Sequence, residues 1–273
     1  MDRSDDTPIP IDAHFHADDL FAVAPGFVDE YRELGVLGLA SVHDDSGFEA
    51  TRRIMAGSRA ALVSFGLHPQ LPVMDEADAL AARAASGDIA AVGECGFDFY
   101  GDSPETTRTP EAEAAQRAVF EYQLELAERS GLPVVLHLRR ADDLLFEYAG
   151  RLARLRAVIL HSWPGPANEA LDFLRRCPRA LFSFGLPLCN GNRKAAASAA
   201  ALPASALLTE TDAPYQPPRS PAPEGGRPLR AWSTTSDLAL VASRIAEIRG
   251  EGERAVMAAV ESNFREAFAH ALR

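Results

Sequence analysis

Two histidines one residue apart, His14 and His16 in Ile-Asp-Ala-His-Phe-His, are the first residues of this chain that could do chemistry together. On a strand, alternate side chains share a face, so Asp12, His14 and His16 point one way and Ile11, Ala13 and Phe15 the other. A pair of imidazoles on one face is half of a metal site. Further along, other polar residues end apolar runs: His68 in Gly-Leu-His-Pro, Glu94 in Val-Gly-Glu, His137 and Arg139 in Leu-His-Leu-Arg, then His161, then Glu210 and Asp212 in Thr-Glu-Thr-Asp. His14, His16, Glu94, His137, His161 and Asp212 together suit one or two divalent cations. A carboxylate bridges two ions and an imidazole does not. Glu94 is therefore the bridging candidate, and Asp212 is placed to orient or deprotonate a water. These two are the expected catalytic carboxylates.

The elements that must position these residues are legible as alternation. Short apolar runs at 9–16, 36–42, 61–67, 89–94, 133–138, 157–161, 180–184 and 206–211 read as strands. Amphipathic stretches lie between them. The clearest, 111–130, carries Val119, Phe120, Leu124 and Ala127 on one face and stops at Gly131, with Pro133 just beyond. Nearly all-apolar strands alternating with helices imply a parallel sheet covered on both faces. Eight such units in 273 residues fit a (β/α)8 barrel, α/β in class, as one domain spanning 1–273 with 1–8 as a flexible tail. In such a barrel the strand C-termini face one mouth, where the polar residues above would meet. The Pro-, Gly- and Arg-rich stretch 214–230 follows the last strand, either over that mouth or as a plain linker; alanine-rich 195–201, then 233–249 and 253–272, read as helices.

Bulk properties exclude several classes. A net charge of -12 argues against a general nucleic-acid coat or an anionic-membrane binder, though not against an enzyme whose cations add local positive charge. Three cysteines without a CxxC form no disulfide framework. The acidic, polar start does not read as a signal peptide, and no apolar run reaches the ~18 residues a membrane span needs. The expectation is a cytoplasmic monomer with no membrane association and no obligate protein partner.

The remaining candidates have secondary roles. His68, before a proline, reads as a hydrogen-bond donor or substrate contact, with metal binding the lesser alternative. His43, followed by Asp44-Asp45, reads as loop chemistry or a pocket wall, with a ligand role the lesser alternative. Asp12 and Glu210 share parity with the ligands one layer deeper and are expected to support them from behind. Arg139 shares parity with His137 and could clamp a phosphate or pair with a loop carboxylate. Tyr100 and Trp163 could stack on a base or simply pack. Cys95 has the opposite parity to Glu94 and is expected to pack under a helix. His270, at a helix end, reads as solvated.

These motifs, in order, resemble the TatD family of metal-dependent hydrolases, amidohydrolase-like TIM barrels. They are Ile-Asp-Ala-His14-Phe-His16, Gly-Leu-His68-Pro, Val-Gly-Glu94-Cys-Gly-Phe-Asp98-Phe-Tyr100, Leu-Pro-Val-Val-Leu-His137-Leu-Arg139, His161-Ser-Trp-Pro-Gly165 and Leu-Leu-Thr-Glu210-Thr-Asp212-Ala-Pro-Tyr215, with Glu261-Ser-Asn263-Phe264 near the end. The resemblance implies up to two divalent ions, magnesium, manganese or zinc. One would be held by His14, His16, Glu94 and Asp212, the other by Glu94, His137 and His161. It also implies a nuclease that removes nucleotides from DNA ends, or, as in some relatives, an esterase acting on D-aminoacyl-tRNA. Arg140, Pro164 and the segment Gly226-Arg227-Pro228-Leu229-Arg230 depart from the family pattern at the mouth and leave every metal position intact. Arg139, Arg140, Arg219, Arg227 and Arg230 would line a groove for DNA or another phosphodiester or ester substrate. A metal-binding protein without activity is the remaining alternative; the complete donor set argues against it.

Overall fold

The computed structural model describes residues 7–58, 61–219 and 228–272. Eight parallel strands follow one another around a single sheet in chain order. They are β1 (Ile11–Phe15), β2 (Leu37–Val42), β3 (Ala61–Phe65), β4 (Ala91–Asp98), β5 (Val134–Arg139), β6 (Val158–Leu160), β7 (Ala180–Phe184) and β8 (Leu207–Thr209). At least one helix occupies each connection, and helices Asp237–Arg249 and Glu253–Ala267 complete the outer ring. This is the expected (β/α)8 barrel.

Every residue of β1, β2, β4 and β7 is buried, as strands sandwiched between a filled barrel interior and a helical coat must be. The coat forms for local reasons as well. Helix Pro110–Ser130 opens with the Thr109 side chain accepting the Ala112 N–H and closes at Gly131, left-handed at φ 64°. It also buries two glutamines that serve as pegs. Gln123 accepts the Leu67 N–H at 2.8 Å and donates to the Leu67 carbonyl at 3.0 Å. Gln116 does the same to Asp98, at 2.9 Å each way. The chain beyond β3 and the end of β4 are thereby held where His68 and Asp98 emerge.

β8, three residues long, lies beside β1 at the seam of the barrel. Side chains complete it. Thr209 Oγ1 donates to the Ile11 carbonyl at 2.7 Å, and Asp12 accepts both the N–H and the hydroxyl of Thr211, at 2.9 and 2.8 Å. Past the strand ends, Asp212 N–H donates to the His14 carbonyl and His16 N–H to the Ala213 carbonyl. The two histidines and Asp212 are thus laced together by backbone. At the other end, Asn263 donates to the carbonyls of Ala204 and Leu207, and Glu261 accepts the Ile9 N–H.

Several boundaries differ from the sequence reading. β4 runs on to Asp98, although Gly93 and Gly96 interrupt its apolar run, because pairing with β5 continues to Asp98↔Arg139. Gly96, at φ 130°, sits where an added Cβ would collide with the His137 carbonyl. The helix expected from 233 begins at Asp237, since Asp237 accepts the Thr234 N–H and caps a turn there. The last helix ends at Ala267. Of the expected tail 1–8, only Thr7 and Pro8 are described, and Arg227 lies outside the described residues.

Candidate metal centre

All six expected ligands meet at the C-terminal mouth, in two clusters joined by Glu94. In the first, His14 Nε2 lies 3.3 Å from Glu94 Oε1, 3.7 Å from Asp212 Oδ1 and 3.3 Å from His16 Nε2. His16 Nε2 lies 3.5 Å from each of those carboxylate oxygens. In the second, Glu94 Oε2 is 3.3 Å from His137 Nδ1 and 3.0 Å from His161 Nε2, which are 3.2 Å apart. Ligands about 2.0–2.1 Å from a shared ion stand about 3–3.4 Å apart, close to the 3.0–3.7 Å separations here. Glu94 Oε1 is buried and accepts no hydrogen bond among the described residues, an expensive state for a carboxylate that a cation relieves. The donors therefore fit two divalent cations, with one Glu94 oxygen directed at each.

Electrostatics favour positive charge in this cavity. Burial alone would lower the imidazoles of His16, His137 and His161, yet all three are raised, by Asp212 and Glu94, by Asp98 and Glu94, and by Glu94 and Glu210. Burial would likewise raise Glu94, and the surrounding histidines outweigh it and keep it ionised. Cations loading into the site would displace protons from these imidazoles.

Three residues behind the ligands set their orientation. Asp98 Oδ2 accepts from His137 Nε2 at 2.9 Å, from Gln70 at 2.8 Å and from Arg139 at 3.2 Å, while Oδ1 accepts the Tyr100 N–H. A carboxylate can only accept here, so His137 carries its proton on Nε2 and presents the Nδ1 lone pair to the cluster. Burial would raise the Asp98 carboxyl, but these donors overcome it and hold it below the usual range. Glu210, fully buried, approaches His161 Nδ1 at 3.8 Å from behind. Gln216 donates to Asp212 Oδ2 and to Ser162 Oγ, tying the ends of β8 and β6 together. Among the described residues, the non-glycine residues with positive φ, Arg140, Ser162, Asp212 and Gln216, all follow strand ends at this mouth.

Asp98 and Gln216 were not singled out from sequence. Asp98 has the parity of Glu94 four residues on, a signal hidden by ending the strand too early. Gln216 carries no signal in sequence, because its role depends on where a loop folds. Asp12 lies behind the ligands as expected, holding Thr211, the neighbour of Asp212, and interacting with the backbone of His14.

A cavity of about 760 Å³ opens above the ligands, walled by His43, His68, Arg139, Tyr215 and Gln216 among others. His68 Nδ1 accepts the Gln70 N–H at 3.2 Å, so Nε2 bears the proton, 3.6 Å from Glu94 Oε2. His68 is close enough to the cluster to count as a ligand by distance, but this tautomer makes Nε2 a donor. Burial pushes its pKa down to about 4, so it stays neutral. Arg139 is engaged by Asp98 and Asp102 and stacks on Tyr100, which Arg140 also covers. Tyr100 is exposed outside the cavity wall. Of the two roles expected for Trp163 the structure shows packing: it is 2% exposed, edge-on to Phe182, with its N–H on Ser198, and does not face the cavity as a stacking surface. The aromatic on the cavity wall is Tyr215, 49% exposed, with its hydroxyl on Asp19. Arg230 is paired with Asp237 and Thr234. Cys95 is buried, its thiol on the Val135 carbonyl, and His270, expected in solvent, is bonded to the Ala90 carbonyl.

A (β/α)8 barrel with His, Glu and Asp donors gathered at its C-terminal mouth defines a metal-dependent hydrolase. The chain belongs to the TatD related DNase family, whose pattern it matches over residues 11–269. It is 33% identical over 194 residues to the 3'-5' ssDNA/RNA exonuclease TatD of Enterobacter lignolyticus, covering 69% of each chain. With the protein of the same name from Pantoea ananatis it shares 29% identity over 251 residues, covering 88% of this chain and 91% of that one. In fold it is similar to a TatD homologue from Escherichia coli, with TM-score 0.78 and 24% identity, covering 95% of this chain and 97% of that one. A TatD family hydrolase from Entamoeba histolytica has TM-score 0.75 and 15% identity, with 96% and 98% covered.

Proposed function

We propose that this chain is a two-metal phosphodiesterase that releases nucleotides from the ends of single-stranded DNA, with the 3'-5' direction of its curated relatives. The observation that carries this reading is the division of Glu94, one oxygen facing His14 and His16, which also approach Asp212, and the other facing His137 and His161. Magnesium, manganese or zinc held by these residues would lower the pKa of a water and neutralise charge on a phosphoryl oxygen. Asp212 accepts the proton of the attacking water, with the Gln216 amide beside Oδ2 keeping the carboxylate in one orientation. The N–H of His68 and the guanidinium of Arg139 face the cavity as donors for phosphate oxygens. Tyr215 offers a terminal base a stacking surface in place of Trp163. Glu210 and Asp12 support His161 and the Asp212 segment from below. A single catalytic domain acting as a monomer without an obligate protein partner is part of the proposal. Among the described residues no helix is long and apolar enough to cross a membrane; a cytoplasmic location is part of the proposal.

The test is release of mononucleotides from single-stranded DNA, with D-aminoacyl-tRNA assayed in parallel. The wild type is expected to act on DNA, to stop with EDTA and to weaken as salt rises. Asp212→Asn is expected to lose roughly 10²–10⁴ in turnover, the usual worth of a general base, while still binding metal. Wild-type turnover in that variant, or ester cleavage without nucleotide release, would overturn the reading.

A further inference from the structure

His43 stands at the mouth outside the six-ligand set. It directly follows β2, and the next residue, Asp44, caps helix Asp45–Ile54 by accepting the Gly47 N–H at 2.7 Å. The backbone at His43 is thus held by a strand on one side and a capped helix on the other. Its ring Nδ1 lies 3.2 Å from the Gly66 carbonyl oxygen. A carbonyl only accepts, so Nδ1 carries the proton and the neutral ring keeps a lone pair on Nε2. That Nε2 is 3.4 Å from Glu94 Oε1, the oxygen that His14 and His16 approach at 3.3 and 3.5 Å. Three imidazole nitrogens therefore surround one buried oxygen that accepts no hydrogen bond among the described residues.

The neighbouring imidazole provides a contrast. The rings of His43 and His68 are 5.0 Å apart, centre to centre. His68 is locked by Gln70 with its proton on Nε2, so it presents an N–H. His43 is locked by Gly66 in the opposite tautomer, so it presents a lone pair. A backbone carbonyl on the remote nitrogen is also how metal-bound histidines are commonly held.

We propose that His43 is a seventh metal ligand, its Nε2 joining His14, His16, Glu94 Oε1 and Asp212 Oδ1 around the first ion. The inference rests on the two-metal reading above. Its consequence is selectivity. Three imidazoles and two carboxylates form a nitrogen-rich set that favours zinc, iron or cobalt over magnesium, which prefers oxygen and water. The first ion is then a borderline metal even where magnesium is abundant.

The experiment compares metal-free wild type, His43→Ala and His43→Gln, titrated with Zn²⁺, Co²⁺ and Mg²⁺. Affinities come from chelator competition, and the Co²⁺ absorption bands report coordination. Glutamine can still donate to the Gly66 carbonyl, so that variant keeps the local structure while removing the imidazole lone pair. In both variants one of two Zn²⁺ ions is expected to weaken by about tenfold or more, with Mg²⁺ affinity changed much less, and the Co²⁺ bands of that ion to shift. An unchanged Zn²⁺/Mg²⁺ affinity ratio and unchanged bands in His43→Gln would overturn the assignment while leaving the two-metal reading standing. A wild type that binds no ion would remove both.

Discussion

Removing Asp98 isolates the link between the second metal cluster and its support. In the wild type the Asp98 carboxylate fixes the His137 proton on Nε2 and leaves Nδ1 free to coordinate. In Asp98→Ala the ring is free to turn and to exchange tautomers. Equal tautomer populations alone cost RT ln 2, about 0.4 kcal/mol; loss of the charge-assisted bond that raises the basicity of Nδ1 adds more. Together the expected loss is 10–100-fold in affinity for the second ion, or about 1.4–2.7 kcal/mol. Asp98→Asn should be milder. Its oxygen can still face the three donors now on Oδ2, leaving only the Tyr100 N–H without an acceptor. Asp98 makes no hydrogen bond to His14, His16 or Asp212, so the first ion serves as an internal control for folding. Two-step metal titration by calorimetry or chelator competition reads both ions in one sample. The order wild type, Asp98→Asn, Asp98→Ala is expected for the second ion, with the first nearly constant. Full-affinity binding of both ions by Asp98→Ala, or equal weakening of both, would refute the reasoning.

Two further predictions concern the scaffold. Gly66→Ala would drive a Cβ into the backbone of Gly93 and Glu94, so it should cost about 3 kcal/mol or more and loosen both ions. Gly150→Ala, with nothing within 4 Å in helix Asp142–Leu152, should stabilise by about 0.5–1 kcal/mol in the same thermal melts. Equal effects at the two positions would contradict the packing argument. The second prediction is a pH dependence. Burial pushes the Asp12 carboxyl up to about 8, with Thr211 opposing and nearby Glu210 adding to the rise. A raised acid contributes fully below its unfolded pKa, near 4, and its contribution fades as pH climbs toward 8. Metal-free wild type should therefore lose about 1.4 kcal/mol per pH unit across that window relative to Asp12→Asn, whose amide can still satisfy Thr211. Parallel stability–pH curves for the two proteins would sink the assignment.

The barrel and the meeting of its candidate ligands were legible because they rest on local rules. Eight apolar runs separated by helical periodicity specify parallel strands, and residue parity puts His14 with His16 and Asp212 above Glu210. The ends of strands were less legible. Gly93 and Gly96 break the apolar pattern of β4, so nothing local indicates that pairing with β5 continues to Asp98. Trp163 illustrates the same limit from the other direction. Its motif lies beside His161, yet whether an indole faces solvent or the Ser198 hydroxyl depends on a helix some thirty-five residues away in sequence.

The sequence by itself determined the fold class and which six candidate ligands would share one mouth, because periodicity and residue type are properties of short segments. Only the tertiary structure decided which nitrogen each histidine offers, since that depends on the partner of the opposite nitrogen: Asp98 for His137, Gln70 for His68 and Gly66 for His43. It also gave Asp12 its place at the barrel seam and Gln216 its hold on Asp212. A hydrogen bond between side chains requires two distant segments to arrive within about 3 Å of each other. No window of sequence contains that distance.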